Sequence, residues 1–251
     1  MQRFKNKHVL ITGGTSGIGK ATAQEFIDHG AQVIITGRFQ DTLEKTVHEL
    51  GPNARGIVSD AGKMADLFAL EGSVAAITPK IDVLYVNAGF GKYASLENVD
   101  EAHIDEMVNV LVKGTLFTVQ QVLPLMTAGS SVILNTSIVT EVGMPDSSVY
   151  SACKAAVQSF VKTFASELSP KGIRVNAVSP GPIATNYFDR SNLSEEQVEA
   201  LAGDVLAQVP LARFGEPSEV AKAVSFLASD DAFFIHGTEI FVDGGFPKVR
   251  V

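Results

Sequence analysis

Three side chains in the middle of the sequence could together move a proton: Ser137, Tyr150 and Lys154. Tyr150 and Lys154 stand at i and i+4 in S-V-Y-S-A-C-K, so on a helix both leave one face a turn apart and can act on one small molecule. A free phenol has a pKa of about 10 and is a poor proton source or sink at neutral pH, but a fixed ammonium nearby favours the phenolate and lowers that value. Bringing it to about 7 takes about 4 kcal/mol of differential interaction, the order that one lysine plus a second positive charge supplies. Ser137, thirteen residues upstream, could hold a carbonyl oxygen beside the phenol. A Tyr and a Lys four apart are also what any helix face offers, so the pair takes its meaning from what positions it.

The elements that position these groups alternate from the N-terminus. The run His8–Thr12 (H-V-L-I-T) passes directly into G-G-T-S-G-I-G and then into an amphipathic helix stopped by Gly30. Gly13, Gly17 and Gly19 allow a tight turn and close approach to a phosphate, while the helix beginning near Gly17 aims its free N–H groups and positive dipole end at it. A strand from Gln32 to Arg38 follows, then a helix over Asp41–Leu50, a strand over Arg55–Ser59 ending in Asp60-Ala61, and a helix over Lys63–Ala76. The fourth strand, Ile81–Val86, runs into the small-residue turn Asn87-Ala88-Gly89. A long helical pattern over Asp105–Met126, apolar around much of its circumference, suggests a face for another subunit. The fifth strand, Ser130–Ser137, delivers Ser137 at its carboxyl end, and the helix carrying Tyr150 and Lys154 spans Ser148–Ser169. A sixth strand (Ile173–Ser179), a helix over Pro217–Ala228 and a last strand in G-T-E-I-F-V-D-G-G complete an α/β alternation. This rhythm predicts a doubly wound parallel sheet of Rossmann type with helices on both faces and ligands at the carboxyl ends of the strands.

Composition narrows the function. The chain of 251 residues is 45% apolar and 19% charged, a soluble globular profile, and its net charge of -8 without a Lys/Arg block argues against nucleic acid or an anionic membrane surface as partner. Cys153 is the only cysteine, which leaves no disulfide framework and no cysteine metal site and fits a reducing cytoplasm. His8, His29, His48, His103 and His236 are scattered without ligand spacing, so no metal is expected. No apolar run reaches membrane length, and Met1–Lys7 is polar rather than signal-like.

Taken together, T-G-G-T-S-G-I-G from Thr12, N-A-G from Asn87, Ser137, Y-S-A-C-K from Tyr150 and the later S-P-G-P-I-A-T resemble the short-chain dehydrogenase/reductase family over essentially the whole chain. The resemblance implies one Rossmann-type domain over residues 1–251 and hydride transfer between a nicotinamide cofactor and a carbonyl or alcohol carbon. In it Tyr150 is the general acid/base, Lys154 binds the nicotinamide ribose and tunes Tyr150, and Ser137 orients the substrate oxygen. Cofactor contacts fall on the turn Gly13, Thr15, Ser16, Gly17, Ile18 and Gly19. They continue at Gly37 and Arg38, at Asp60 and Ala61, at Asn87, Ala88 and Gly89, at Tyr150 and Lys154 themselves, and at Pro180, Gly181, Ile183 and Thr185 along the nicotinamide amide and pyrophosphate. Residues 186–208, with Tyr187 and Phe188, correspond to the family's mobile substrate lid. Family members often pair such strands and long helices across subunits, so a homo-oligomer, tetramer or dimer, is expected.

Two details refine this picture. The second strand ends in Thr36-Gly37-Arg38 with no acid to accept from a ribose 2'-hydroxyl, and a guanidinium suits a 2'-phosphate, which favours NADP(H) over NAD(H). The family usually carries an Asn just before a pattern like V-K-G, where this chain has Leu111. Asn109 lies two positions earlier, about 200° around a helix, and cannot deputise. Leu111 keeps the main-chain carbonyl used in the family's proton relay but not the side-chain bonds that hold the local kink. Two function classes follow: an NADP(H)-dependent carbonyl reductase or alcohol dehydrogenase, with an NAD-preferring dehydrogenase of the same family as its variant, and a non-catalytic protein that uses a dinucleotide as a structural or sensing ligand, whose only support is Leu111. Val142, Met144, Tyr187 and Phe188 suggest a fairly hydrophobic ketone or secondary alcohol as substrate.

Overall fold

The computed structural model of the chain describes residues 2–185, 203 and 205–249. Strands β1 (His8–Ile11), β2 (Gln32–Gly37), β3 (Ala54–Val58), β4 (Val83–Val86), β5 (Ser131–Asn135), β6 (Arg174–Pro180) and β7 (Glu239–Val242) form one seven-stranded sheet in the order β3-β2-β1-β4-β5-β6-β7. Every pairing is parallel; Val9, for example, faces Val33 on one side and Val83 on the other. The order reverses between β1 and β4. At such a switch point the loops leaving two neighbouring strands diverge to opposite faces and open a crevice at the carboxyl edge.

Side-chain alternation sorts the sheet into its two faces. Leu10, Ile34, Leu84, Val86, Val132, Leu134, Val175 and Ala177 pack with one cluster, and Val9, Ile11, Val33, Ile35, Val83, Tyr85, Ile133 and Val178 with the other, as period-two geometry requires. The first face is covered by α4 (Leu70–Ala75), α6 (Gly114–Val122) and α7 (Ser148–Leu168), through Leu70, Val74, Val119, Val122, Val157, Val161 and Leu168. The second is covered by α1 (Gly17–Asp28), α2 (Gln40–Leu50) and α8 (Pro217–Ala228), through Ala23, Phe26, Leu43, Leu50, Val220, Val224 and Leu227. Strands buried on both faces explain the continuous apolar runs in the sequence. The architecture is the single Rossmann-like domain expected.

Two expected helices are divided. The segment predicted as one helix over Lys63–Ala76 forms α3 (Met64–Phe68) and α4, which meet at Ala69. The long pattern over Asp105–Met126 starts earlier, as α5 (Glu101–Met107) capped by the Asp100 carboxylate on the His103 N–H at 2.8 Å. It then widens into a π-helical turn over Val108–Lys113, continues as α6 and closes in a 3-10 turn at Leu123–Leu125, where Pro124 has no N–H to extend the α-ladder. The predicted lid, including Tyr187, Phe188 and the helix in S-E-E-Q-V-E-A-L, lies almost entirely outside the described residues.

Candidate active site

The crevice at the switch point is braced across 75 residues of chain. Thr12 Oγ1 accepts from the N–H groups of Asn87 and Ala88, both at 3.0 Å, and Asn87 Nδ2 donates to the main-chain oxygens of Thr12 and Gly13, both at 3.1 Å. The glycine turn has no room for larger residues: a Cβ on Gly19 would stand 2.2 Å from the Gly13 oxygen, and one on Gly13 2.9 Å from the Ala88 Cα. Gly17 adopts φ +51, and its Cβ direction opens toward the Thr185 methyl at 3.3 Å, so the loop after β6 closes over the start of α1. Ser16, the N-cap of α1, makes no side-chain cap, which leaves the first-turn N–H groups directed into the crevice. This cradle fits a pyrophosphate.

The remaining cofactor candidates ring the same edge. Gly13 donates to Thr36 Oγ1 at 3.3 Å, which fastens the turn to the end of β2. Gly37 is buried against Thr15, whose methyl would lie 2.5 Å from a Cβ at 37. Arg38 is exposed, its guanidinium 5.4 Å from the Phe39 ring centroid and, among the described residues, in no ion pair. Asp60 turns its carboxylate inward to accept from the Gly62 N–H at 2.9 Å, and Ala61 packs against Gly114. Pro180 is buried, Gly181 abuts Asp243, and Ile183 bridges to Gly215. Thr15, Ile18, Ala88 and Gly89 lie along the crevice walls with partial or full exposure.

Ser137, Tyr150 and Lys154 come together where the sequence put them. Ser137 follows β5 and is only 8% exposed, its side chain near enough to Tyr150 to favour the phenolate; Tyr150 and Lys154 lie one turn apart near the start of α7. The electrostatics differ from expectation. Burial, reinforced by the neighbouring Tyr93 phenol, pushes the Tyr150 pKa well up, and the nearby Ser137 hydroxyl only partly offsets this. Lys154 Nζ stands 5.9 Å from the Tyr150 ring centroid and donates to the Asn135 main-chain oxygen at 2.7 Å. Burial brings Lys154 itself down to about 8. The pair alone is therefore an ordinary, protonated phenol beside a desolvated amine, and the depressed phenol expected from sequence requires the charge and hydrogen bonds of a bound cofactor.

Leu111 sits inside the π-helical turn and is 1% exposed. It packs with Met107 and Cys153, against Phe90, Val149 and Tyr150, and its Cδ2 would be 2.7 Å from a Cβ on Gly89. Its carbonyl accepts from Thr115 Oγ1 at 2.7 Å. The distortion thus persists without an Asn side chain. Asn109 points away, accepting from exposed Lys113 at 2.8 Å.

Of the substrate candidates, Val142 packs with Ile138, Val209 and Phe246, while Met144 is 37% exposed on the loop before α7. Two neighbours escaped the sequence reading. Asn135 holds Lys154 through a main-chain atom, which no residue-type pattern encodes. Tyr93 meets Tyr150 edge-on, and the extra aromatic after N-A-G is the one signal that could have flagged it. Among the described residues no cluster of three or more His, Cys, Asp or Glu could hold a metal, and no helix is long and apolar enough to cross a membrane.

A Rossmann-like sheet with a glycine cradle, N-A-G brace, Ser, Tyr and Lys defines a nicotinamide-dependent oxidoreductase acting on CH–OH or C=O groups. The chain belongs to the short-chain dehydrogenase/reductase family: a family model described as enoyl-(acyl carrier protein) reductase matches residues 13–247. Oxidoreductase asL5 of Sarocladium schorii is 39% identical over 251 residues, covering 99% of both chains. A 3-oxoacyl-(acyl-carrier-protein) reductase of Thermotoga maritima is 36% identical, covering 97% of this chain and 98% of its own. Among solved structures, a blue fluorescent protein from a metagenomic library in complex with NADPH superimposes with a TM-score of 0.89 at 28% identity, covering 98% of this chain and 100% of that one.

Proposed function

We propose that this protein is an NADP(H)-dependent carbonyl reductase or alcohol dehydrogenase that interconverts a fairly hydrophobic ketone and its secondary alcohol, with Tyr150 as general acid/base. The observation that carries the reading is the convergence of Ser137 and Tyr150, with Lys154 buried one helical turn along and held by the main-chain oxygen of Asn135, whose own side chain reaches Asn87 beside the glycine cradle. The nicotinamide supplies or accepts the hydride when bound. Ser137 then shares the substrate oxygen with Tyr150, which donates its proton to that oxygen, and Lys154 would hold the ribose of the bound cofactor and, with the cofactor's charge, would favour the phenolate left behind. The π-helical turn keeps the Leu111 carbonyl in place, and the apolar cluster of Leu111, Met107 and Cys153 packs against the Tyr150 ring. Retention of the carbonyl weighs against the sensor reading.

NADP(H) is favoured because Arg38, exposed and in no ion pair among the described residues, follows the end of β2, where the sequence has no acid to meet a ribose diol. We further read the protein as a cytoplasmic homo-oligomer. An apolar groove between the turn at Leu96–Asn98, α5 and α7, lined by Leu96, Ile104, Val108, Val149 and Ala152, supports a second copy as partner, and light scattering tests it. The activity is tested by offering NADPH or NADH with a panel of aliphatic, cyclic and aryl ketones and following nicotinamide absorbance. Turnover with NADPH is expected; tight NADPH binding without turnover across the panel would overturn the reductase reading.

A further inference from the structure

We infer that Gln158 is a positioning residue: its side-chain amide clamps the segment that carries Ser137 to the helix that carries Tyr150, and so sets where the serine hydroxyl meets the phenol. The inference rests on Ser137 and Tyr150 sharing the substrate oxygen, as proposed above. Tyr150, Lys154 and Gln158 follow one another at intervals of four along α7, so their side chains leave one stripe of the helix. The first two serve the phenol and the cofactor in that reading. The third is half-buried beyond them and has no part in it.

The contacts of Gln158 lie on either side of Ser137. Leu134 on β5 packs on the face that α7 covers, and by alternation Thr136 turns to the same face. Glu239 on β7 stands beside Ala177, which packs on that face too. Thr136 Oγ1 donates to Glu239 Oε1, and Gln158 Nε2 donates to the other oxygen of that carboxylate at 2.8 Å. Thr136 is buried and its N–H donates to the Val178 oxygen at 2.9 Å, so the residue before Ser137 is fixed in the sheet. After Ser137 the chain turns through Ile138–Thr140 to Glu141, whose N–H donates to the Ile138 oxygen at 2.9 Å. Glu141 Oε1 accepts from Gln158 Nε2 at 3.2 Å, and Oε2 is held by Lys248 Nζ at 3.0 Å. One amide nitrogen thus bridges two carboxylates that flank Ser137 in the chain. Carboxylates only accept, so the nitrogen end of the amide is the end that belongs between them, and its two hydrogens serve one each. A small displacement of a group that must meet the reacting oxygen is costly, which is the reason to clamp the serine from both sides.

The test compares wild type, Gln158→Met and Gln158→Lys with NADPH and the fastest ketone of the panel. In Gln158→Met, kcat and kcat/KM should fall together by about tenfold while the NADPH Kd changes less than about twofold, the pattern of a misplaced group that acts in the transition state. Gln158→Lys keeps N–H donors for both carboxylates and should restore turnover to within about threefold of wild type. Unchanged turnover in Gln158→Met, or a loss that Gln158→Lys does not restore, overturns the inference. If Gln158→Met does not fold, Glu141→Ala decides at an exposed position: kcat should drop about threefold, and no drop overturns the inference. A second readout needs no turnover. Fluorine NMR of fluorotyrosine-labelled protein, with the Tyr150 resonance assigned through Tyr150→Phe, should show Gln158→Met moving that resonance toward its position in Ser137→Ala and Gln158→Lys leaving it in place. An unmoved resonance overturns the inference whatever the turnover. The predicted shifts in a protein whose wild type reduces no ketone would sustain the clamp and sink the reductase.

Discussion

Lys154 Nζ stands 5.9 Å from the centroid of the Tyr150 ring while it donates to the Asn135 main-chain oxygen at 2.7 Å. The amine is thus preset for a ligand, at the expense of desolvation that brings its pKa to about 8. An unfolded lysine titrates at about 10.4, so between pH 8 and 10 the unfolded chain holds a proton that the folded one has lost, and stability rises with pH by up to about 3 kcal/mol. Below pH 8 both states are charged and the folded one bears the full penalty. Urea titrations of the cofactor-free protein should show wild type gaining on Lys154→Met across that window. Parallel pH curves for the two would exclude a desolvated Lys154.

Tyr150→Phe keeps the ring in its cluster and removes the proton. Turnover should fall by about 100- to 10,000-fold with NADPH affinity changed less than about threefold. Lys154→Ala should lower both, because it removes the ribose contact along with the charge. Stopped-flow turnover and fluorescence titration of bound NADPH separate the two patterns; a Tyr150→Phe protein with near wild-type turnover ends the assignment.

Arg38 is the cleaner probe of coenzyme choice. A carboxylate introduced at Gly37 would push its Cβ to 2.5 Å from the Thr15 methyl and disturb the cradle for either cofactor. Arg38→Ala instead removes only an exposed guanidinium. NADPH affinity should drop about tenfold to a hundredfold, the worth of one charge-assisted hydrogen bond, with NADH little changed. A wild-type preference for NADH in the same titrations would refute the NADP reading.

Restoring the family's usual residue should not help. Leu111→Asn places an amide among Met107, Cys153 and Gly89, where no partner is on offer, and should cost about 3 kcal/mol of stability. Because the π-helical turn and the 111 carbonyl are already in place, kcat should not rise. A stabilised or faster variant would show that the cluster is wetter than its packing implies.

The local patterns were legible. Gly13, Gly17 and Gly19 are needed for turns whose geometry depends on a few adjacent residues, and Tyr150 and Lys154 follow from the pitch of a helix. What escaped depends on contacts between distant loops or on main-chain atoms. Tyr93 meets Tyr150 across loops that the Ala94–Asp146 bond ties together, and Asn135 serves Lys154 through its carbonyl. The divisions at Ala69 and at Val108–Lys113 lie within sequences of unbroken helical pattern, where packing rather than propensity decides. Arg38 was found as a residue type, but that it forms no ion pair among the described residues is a property of the surface around it.

The Thr12–Asn87 brace gives the cradle an all-or-none character. Its hydrogen bonds join the ends of two strands whose pairing requires β2 and β3 to leave the chain between them and dock on the far side. No N-terminal fragment ending before β4 contains the whole cradle, even though every glycine of the turn is present by Gly19. Nucleotide affinity is therefore a reporter of sheet assembly: a nascent or truncated chain stays blind to the dinucleotide until its fourth strand arrives, and ligand present during refolding favours only chains that have already crossed over.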